Sequence, residues 1–251
     1  MNPSTERFLL SKQRGEKIAV LTAYDYPLAR LLDESGIDII LVGDSLGMVV
    51  LGYPDTTRVT MDDITHHTRA VARGVKNALV VADLPFQAYE NAAQAAANAR
   101  RLVEAGAHAV KLEGALTEQI EAISAQGIPV MAHLGMLPQH VIEEGGYKIK
   151  GRTDDEAEQL IEQARTVEKA GAFSVVLELV APETAQRITG AVSIPTIGIG
   201  SGAGCDGQVL VTHDLAGMFP WFKPKFVTQR ADVATEIRNA VGAFIAETRG
   251  L

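Results

Sequence analysis

Cysteine is almost missing from this chain: Cys205 is the only one in 251 residues. That excludes an intrachain disulfide framework and a multi-cysteine zinc site, and it fits a reducing compartment. Basic charge is in deficit. Lys plus Arg is 23 against 31 for Asp plus Glu, a net charge of −8. Such a balance argues against a nucleic-acid partner or an anionic membrane surface. No apolar run approaches the roughly 20 residues that a bilayer-spanning helix needs. The first stretch, MNPSTERFLLSKQRGEKIAV, carries too much charge for a signal peptide. A cytoplasmic enzyme handling small molecules is the expectation. No low-complexity tract or Pro/Ser-rich linker interrupts the chain, so a single domain over 1–251 is expected.

What is present is a recurring strand signal. Short apolar runs occur at Lys17–Ala23, Ile37–Val42, Ala78–Ala82, His108–Leu112, Ile128–Ala132, Ser174–Leu177, Ile194–Ile197 and Gln208–Val211. Continuous apolar runs mark parallel strands buried on both faces. The longer segments between them read as helices. Thr153 and Glu156 form a capping box, followed by one apolar face of Ala157, Leu160, Ile161, Ala164 and Val167, with Gly171 as the stop. A helix from about Ala88 to Ala105 ends likewise at Gly106, and an amphipathic helix is expected over Ala231–Glu247. Ser4–Lys12 suits a short extra helix capping the bottom of a barrel.

Ala105-Gly106-Ala107 precedes Glu113 by the spacing at which Ala170-Gly171-Ala172 precedes Glu178. A repeated helix–turn–strand–carboxylate unit, eight strands and this length together predict an α/β fold, a (β/α)8 TIM barrel. A doubly wound sheet would want a glycine-rich nucleotide loop after its first strand. Here that strand runs into Thr22-Ala23-Tyr24-Asp25.

In such a barrel, chemistry gathers just past the carboxyl ends of the strands. Asp44, Asp83 and Glu113 fall there on three successive strands. Together they would repel one another, which a hard divalent cation such as Mg2+ relieves; each alone could instead cap the following helix or bind loop N–H groups. Lys111 and Glu113 are two apart, so they share a strand face while Leu112 points away. A lysine there can hold an anionic substrate oxygen; a structural salt bridge to a barrel-bottom residue is the alternative. Glu178 interrupts the run Val175–Val180, and such apolar flanks should raise its pKa and suit a general base. The glycines of Ile197–Gly204 could cradle an anion or simply make a tight turn. His133 and His213 stand at strand ends. His66 and His67 read as surface or packing residues on a helix.

The segments LTAYD (Leu21–Asp25), VGDSLGMVVLGY (Val42–Tyr53), ADLPF (Ala82–Phe86), VKLEG (Val110–Gly114), GGYKIKGR (Gly145–Arg152), Leu177-Glu178 and IGIGSGAGCDGQVLVTHD (Ile197–Asp214) carry a resemblance over nearly the whole chain. The sequence resembles the ketopantoate hydroxymethyltransferase (3-methyl-2-oxobutanoate hydroxymethyltransferase) family. The resemblance implies a (β/α)8 barrel, Mg2+, 5,10-methylenetetrahydrofolate as one-carbon donor and commonly a homodecamer. It implies metal positions at Asp44, Asp83 and Glu113, contacts to the 2-oxoacid from Asp44, Ser45, Asp83 and Lys111, and Glu178 as proton acceptor. The implied product is 2-dehydropantoate, for pantothenate and coenzyme A synthesis. The chain departs from the family at Ala132–Gln139, which usually reads GHIGLTPQ, and at Gln87-Ala88 before Tyr89. Rival readings are a Schiff-base aldolase using Lys111, a metal-dependent lyase or mutase of phosphoenolpyruvate type, and a non-catalytic barrel that senses an oxoacid.

Overall fold

The computed structural model describes residues 5–251. Each of the eight apolar runs overlaps a strand: β1 (Ile18–Thr22), β2 (Ile39–Val42), β3 (Leu79–Asp83), β4 (Ala109–Glu113), β5 (Val130–Gly135), β6 (Ala172–Glu178), β7 (Thr196–Ile199) and β8 (Gly207–Leu210). Of these, β2, β5 and β7 start two residues later than expected. They close into one parallel barrel in sequence order. The helices are α1 (Glu6–Arg14), α2 (Tyr26–Glu34), α3 (Leu46–Val49), α4 (Met61–Gly74), α5 (Ala92–Glu104), α6 (Thr117–Ser124), α7 (Asp154–Lys169), α8 (Pro182–Ala191), α9 (Thr212–Leu215) and α10 (Val233–Arg249). The chain divides into two compact units, 1–209 and 210–251.

In the first unit, alternation along each strand builds two apolar layers. Ile40, Val42, Val80, Ala82, Val110, Leu112 and Val175 point outward and pack beneath the helices with Ile64, Leu102, Ile120 and Ile188. Ile18, Val20, Ile39, Leu79, Val81, Ala109, Met131, Val176, Ile197 and Val209 fill the barrel interior. Phe8 of α1 joins that interior layer, only 2% exposed. The expected bottom-capping helix is therefore present from Glu6; Ser4 lies outside the described residues. Lys12 anchors it, donating to the carbonyls of Thr189 (2.9 Å) and Ile194 (3.0 Å) and pairing with Asp206 at 3.0 Å.

Local chemistry starts and stops the elements much as expected. The Thr153 hydroxyl accepts from Glu156 N. The reciprocal bond is shifted by one residue, since Glu156 accepts from Arg152 N rather than from Thr153. A full reciprocal capping box occurs instead at Thr60 and Asp63, opening α4. Gly106 and Gly171 both sit at positive φ (106° and 101°), directly after the C-caps of α5 and α7. A side chain there would be strained, which is why the repeated Ala-Gly-Ala unit keeps its glycine.

In the second unit, α10 runs two residues further along than expected. Ile237, Val241, Phe244 and Ile245 follow i, i+4, i+7, i+8 spacing along it and are all exposed. Trp221 and Phe222 are exposed as well. Among the described residues, no helix is long and apolar enough to cross a membrane.

Asp33 ties α2 to the start of β3. It accepts from Lys76 N (3.1 Å), Asn77 N (2.9 Å), Asn77 Nδ2 (3.1 Å) and Ala78 N (2.8 Å). Burial pushes its carboxyl up, but these donors outweigh burial and hold it below the ordinary value. A depressed carboxylate lends stability that is complete above the unfolded pKa, about 3.9, and is lost as pH falls through the folded one. Asp33→Asn removes acceptor capacity and is expected to cost about 1–3 kcal/mol in a urea melt at pH 7. That gap should narrow as pH drops below about 4. A gap that is absent, or independent of pH, would show that the tie contributes nothing.

Candidate active site

Strand register assembles the barrel mouth. Asp83 pairs laterally with Lys111, Glu113 with His133, and Gly135 with Glu178. Because Val81, Ala109, Met131 and Val176 face inward, so do the residues two positions later on each strand. Lys111 and Glu113 accordingly share the inner face, and Leu112 packs outward at 0% exposure. Lys111 is buried and lies 3.1 Å from Asp83 Oδ1, an ion pair at the mouth rather than one to the barrel bottom. Asp83 Oδ2 accepts from Asp44 N at 3.0 Å. Neither Asp44 nor Asp83 caps a helix. Asp25 does, accepting from Leu28 N at 2.8 Å; the loop N–H alternative holds in part, since Asp83 accepts from Asp44 N and Glu113 from Gln139 N.

The electrostatics are those of crowded carboxylates. Burial, then the nearby Asp83, push the Asp44 carboxyl up to about 7. Burial and the Asp44 charge push Glu113 well above the ordinary carboxylate range. Burial acts to lower the Lys111 pKa, but Asp83, Asp44 and Glu113 outweigh it and keep the ammonium charged. His133 is buried within β5; burial lowers its pKa and favours the neutral ring. Its Nδ1 is 3.4 Å from Lys111 Nζ, and its Nε2 is 3.4 Å from Glu178 Oε2.

Glu178 stands at the end of β6, as expected, but its surroundings differ from the expectation. The apolar neighbours in sequence do not enclose it. Leu177 and Val180 turn into the outer layer and Val176 into the lower interior. The carboxylate itself faces His133 across the mouth, with 13% of the side chain exposed. The backbone after it is tightly held. Leu179 sits at φ 47°, and its carbonyl accepts from Lys150 N at 2.8 Å, which lays the 145–152 loop beside the site. Gly135 leaves no room for a side chain, since a Cβ there would come 2.3 Å from the Glu178 carbonyl oxygen.

Ser45 opens α3 beside the cluster, its Oγ 2.9 Å from the Tyr24 hydroxyl. Burial keeps that phenol protonated. His67 reaches back from α4 to the Tyr24 carbonyl at 2.6 Å, a packing role. The Ile197–Gly204 segment is a tight turn. Ser201 Oγ accepts from Val180 N and donates to the Leu177 carbonyl, and Gly202 packs flush on Pro182. Cys205 is fully buried and has no place in the site. His213 and Asp214 lie on α9 in the second unit.

One residue at the mouth was not among the candidates. Gln139 follows Pro138 in a 3-10 turn after β5 and is 2% exposed. Its amide and backbone touch Asp44, Glu113, Leu84 and Tyr89. The available sequence signal is its position in the loop after β5, directly behind a proline.

Among the described residues no three His, Cys, Asp or Glu side chains already form a metal cage. The donor set nonetheless suits a hard cation. Glu113 Oε1 is buried without a hydrogen-bond donor, and Asp44, Asp83 and Glu113 all act on the one Lys111 ammonium. Mg2+ is commonly held by one or two carboxylates plus substrate and waters rather than by an all-protein cage.

A family model described as ketopantoate hydroxymethyltransferase matches residues 3–250. A relative from Syntrophus aciditrophicus (strain SB), named 3-methyl-2-oxobutanoate hydroxymethyltransferase, is 56% identical over 242 residues, covering 95% of this chain and 89% of its own. One of the same name from Clostridium novyi (strain NT) is 55% identical over 253 residues, covering 99% and 92%. Among solved structures, phosphonopyruvate hydrolase in complex with oxalate and Mg++ superposes with a TM-score of 0.65 at 15% identity, over 84% of this chain and 81% of its own. At that identity the likeness speaks for the barrel fold alone.

Proposed function

The chain belongs to the ketopantoate hydroxymethyltransferase family, and from that premise we propose that it moves a hydroxymethyl group from 5,10-methylenetetrahydrofolate to C3 of 3-methyl-2-oxobutanoate. The product is 2-dehydropantoate, on the route to pantothenate and coenzyme A. The observation that supports this chemistry is the meeting of a charged lysine, three buried carboxylates and a separate, partly exposed Glu178 at one barrel mouth.

Asp44, Asp83 and Glu113 would hold Mg2+. When bound, it would supply Lewis-acid polarisation of the substrate's 2-oxo group, which makes the C3 proton more acidic. The Lys111 ammonium, fixed beside Asp83, donates to the oxygen on which enolate charge develops. Ser45, with its hydroxyl in hydrogen-bond reach of Tyr24, contacts the oxoacid from the β2 side. Glu178 takes the C3 proton. The enolate carbon then bonds to the methylene carbon of the folate as the first of that carbon's two bonds to nitrogen breaks. Water's oxygen replaces the second nitrogen, and the protons from C3 and from water pass to the two freed nitrogens, releasing tetrahydrofolate. The hard one-carbon chemistry belongs to the co-substrate; the protein binds, orients and moves one proton.

A Schiff-base aldolase is disfavoured. Its lysine must give up its proton to act as a nucleophile, and the carboxylates around Lys111 oppose that. A lyase or mutase acting on C–C or C–P bonds would need no folate, so a folate requirement separates it from this reading. A pure oxoacid sensor would show binding without C3 exchange.

The acidic charge balance and a lone buried thiol suit a cytoplasmic enzyme. We further propose a homo-oligomer, a decamer as in the family resemblance. The exposed Ile237, Val241, Phe244 and Ile245 of α10 support it, because such apolar rows mark interaction surfaces. Sedimentation at micromolar concentration should show a particle of about ten chains; a monomer would refute the assembly.

Enolisation is tested apart from transfer. With Mg2+ and the oxoacid but no folate, the parent protein should exchange the C3 hydrogen into deuterated water, followed by NMR. Glu178→Gln keeps the side chain's volume but cannot accept that proton. Exchange is expected to fall by ~10²–10⁴-fold while the oxoacid still binds. Exchange at the parent rate would move the base elsewhere, with His133 next in line.

A further inference from the structure

Gln139 is bonded through all its polar side-chain atoms. Its Nε2 donates to Asp44 Oδ2 at 2.7 Å and to the Leu84 carbonyl at 3.0 Å, which uses both amide hydrogens. Its Oε1 accepts from the Tyr89 hydroxyl. Its backbone N–H donates to Glu113 Oε2 at 3.1 Å. A buried, fully engaged glutamine is a costly arrangement unless every partner is in place.

The direction of this chain follows from the chemistry. The Tyr89 phenol has one hydrogen and is kept protonated, chiefly by burial. A flipped amide would set its oxygen against two groups that can only accept, the Asp44 carboxylate and the Leu84 carbonyl. Those two fix the NH2 side, and the Tyr89 hydroxyl donates to the oxygen that remains and holds the amide in place.

Gln139 occupies Asp44 Oδ2 through its side chain and Glu113 Oε2 through its backbone. The other Glu113 oxygen, Oε1, is left buried without a hydrogen-bond donor. One residue thus engages one oxygen on each of two carboxylates. We propose that Gln139, locked by Tyr89, is the positioning residue of the cation site, turning one oxygen each of Asp44 and Glu113 toward the shared cation. It touches no reacting atom. The proposal rests on the reading that these carboxylates hold a divalent cation.

The test is binding of Mn2+, a spectroscopic stand-in for Mg2+, followed by the loss of the free-ion signal in electron paramagnetic resonance. Gln139→Met keeps the side-chain length and removes the amide. Its Mn2+ affinity should drop on the order of 10–100-fold, as for other groups that orient metal ligands. Tyr89→Phe deletes only the hydroxyl and is the gentler variant if Gln139→Met fails to fold. It should weaken Mn2+ in the same direction by a smaller factor. The double variant should bind no worse than Gln139→Met alone, because both act through one chain of bonds. The Mg2+ concentration giving half-maximal activity should rise, with kcat at saturating Mg2+ nearly restored. A merely structural role would lower thermal stability and leave the folded protein's Mn2+ affinity unchanged. Parent-like affinity in Tyr89→Phe and in any folded Gln139→Met would overturn the proposal. No Mn2+ binding by the parent protein would overturn the cation reading itself, and the proposal with it.

Discussion

The Lys111 ammonium is buried 3.1 Å from Asp83, and the ionisable side chains it meets at the barrel mouth are carboxylates and a histidine whose buried ring favours the neutral form. Much of this barrel can be understood as what is needed to keep that arrangement. Taking a lysine and several carboxylates out of water costs several kcal/mol per ion, and mutual attraction repays this only with close geometry. Lateral register of parallel strands supplies the geometry, setting Asp83 beside Lys111 and Glu113 beside His133. The rigid apolar layer below, closed by Phe8 from α1, keeps those strands from sliding. Even so, burial first and then mutual repulsion push Asp44 and Glu113 upward. A stable interior would not be built this way. Sites that must accept a divalent cation and an anionic substrate are.

The barrel was legible in the sequence because strands buried on both faces leave continuous apolar runs, and all eight are found where those runs lie. The site was legible where chemistry and position coincide. A carboxylate or lysine at the end of a parallel strand has few structural uses, so Asp83, Lys111 and Glu113 stood out. Asp25, also just past a strand end, caps α2. The two could be told apart only when Asp83 was seen to bridge to a neighbouring strand.

Two features escaped the sequence for a physical reason. The surroundings of Glu178 were inferred from its neighbours in the chain, but strand neighbours point to opposite faces. What surrounds the carboxylate comes from β5, through His133. Gln139 carries no charge and sits in a loop, so neither periodicity nor charge pattern marks it. Its importance arises from contacts to residues 26, 50, 55 and 95 positions away. Only folding brings those together.

The central claim is that the mouth carries more buried negative charge than Lys111 can balance, and that a divalent cation makes up the difference. Thermal midpoints of the parent and Glu113→Gln at pH 8 test it, each with a chelator and with excess Mg2+. The variant keeps the acceptor for the Gln139 N–H and removes one repelling charge. With chelator it should melt above the parent, by about 2–4 °C for each kcal/mol of repulsion relieved. Mg2+ should then raise the parent's midpoint in a concentration-dependent way and raise the variant's less. A variant that melts below the parent in chelator, or a parent midpoint that Mg2+ leaves unmoved, would contradict the account.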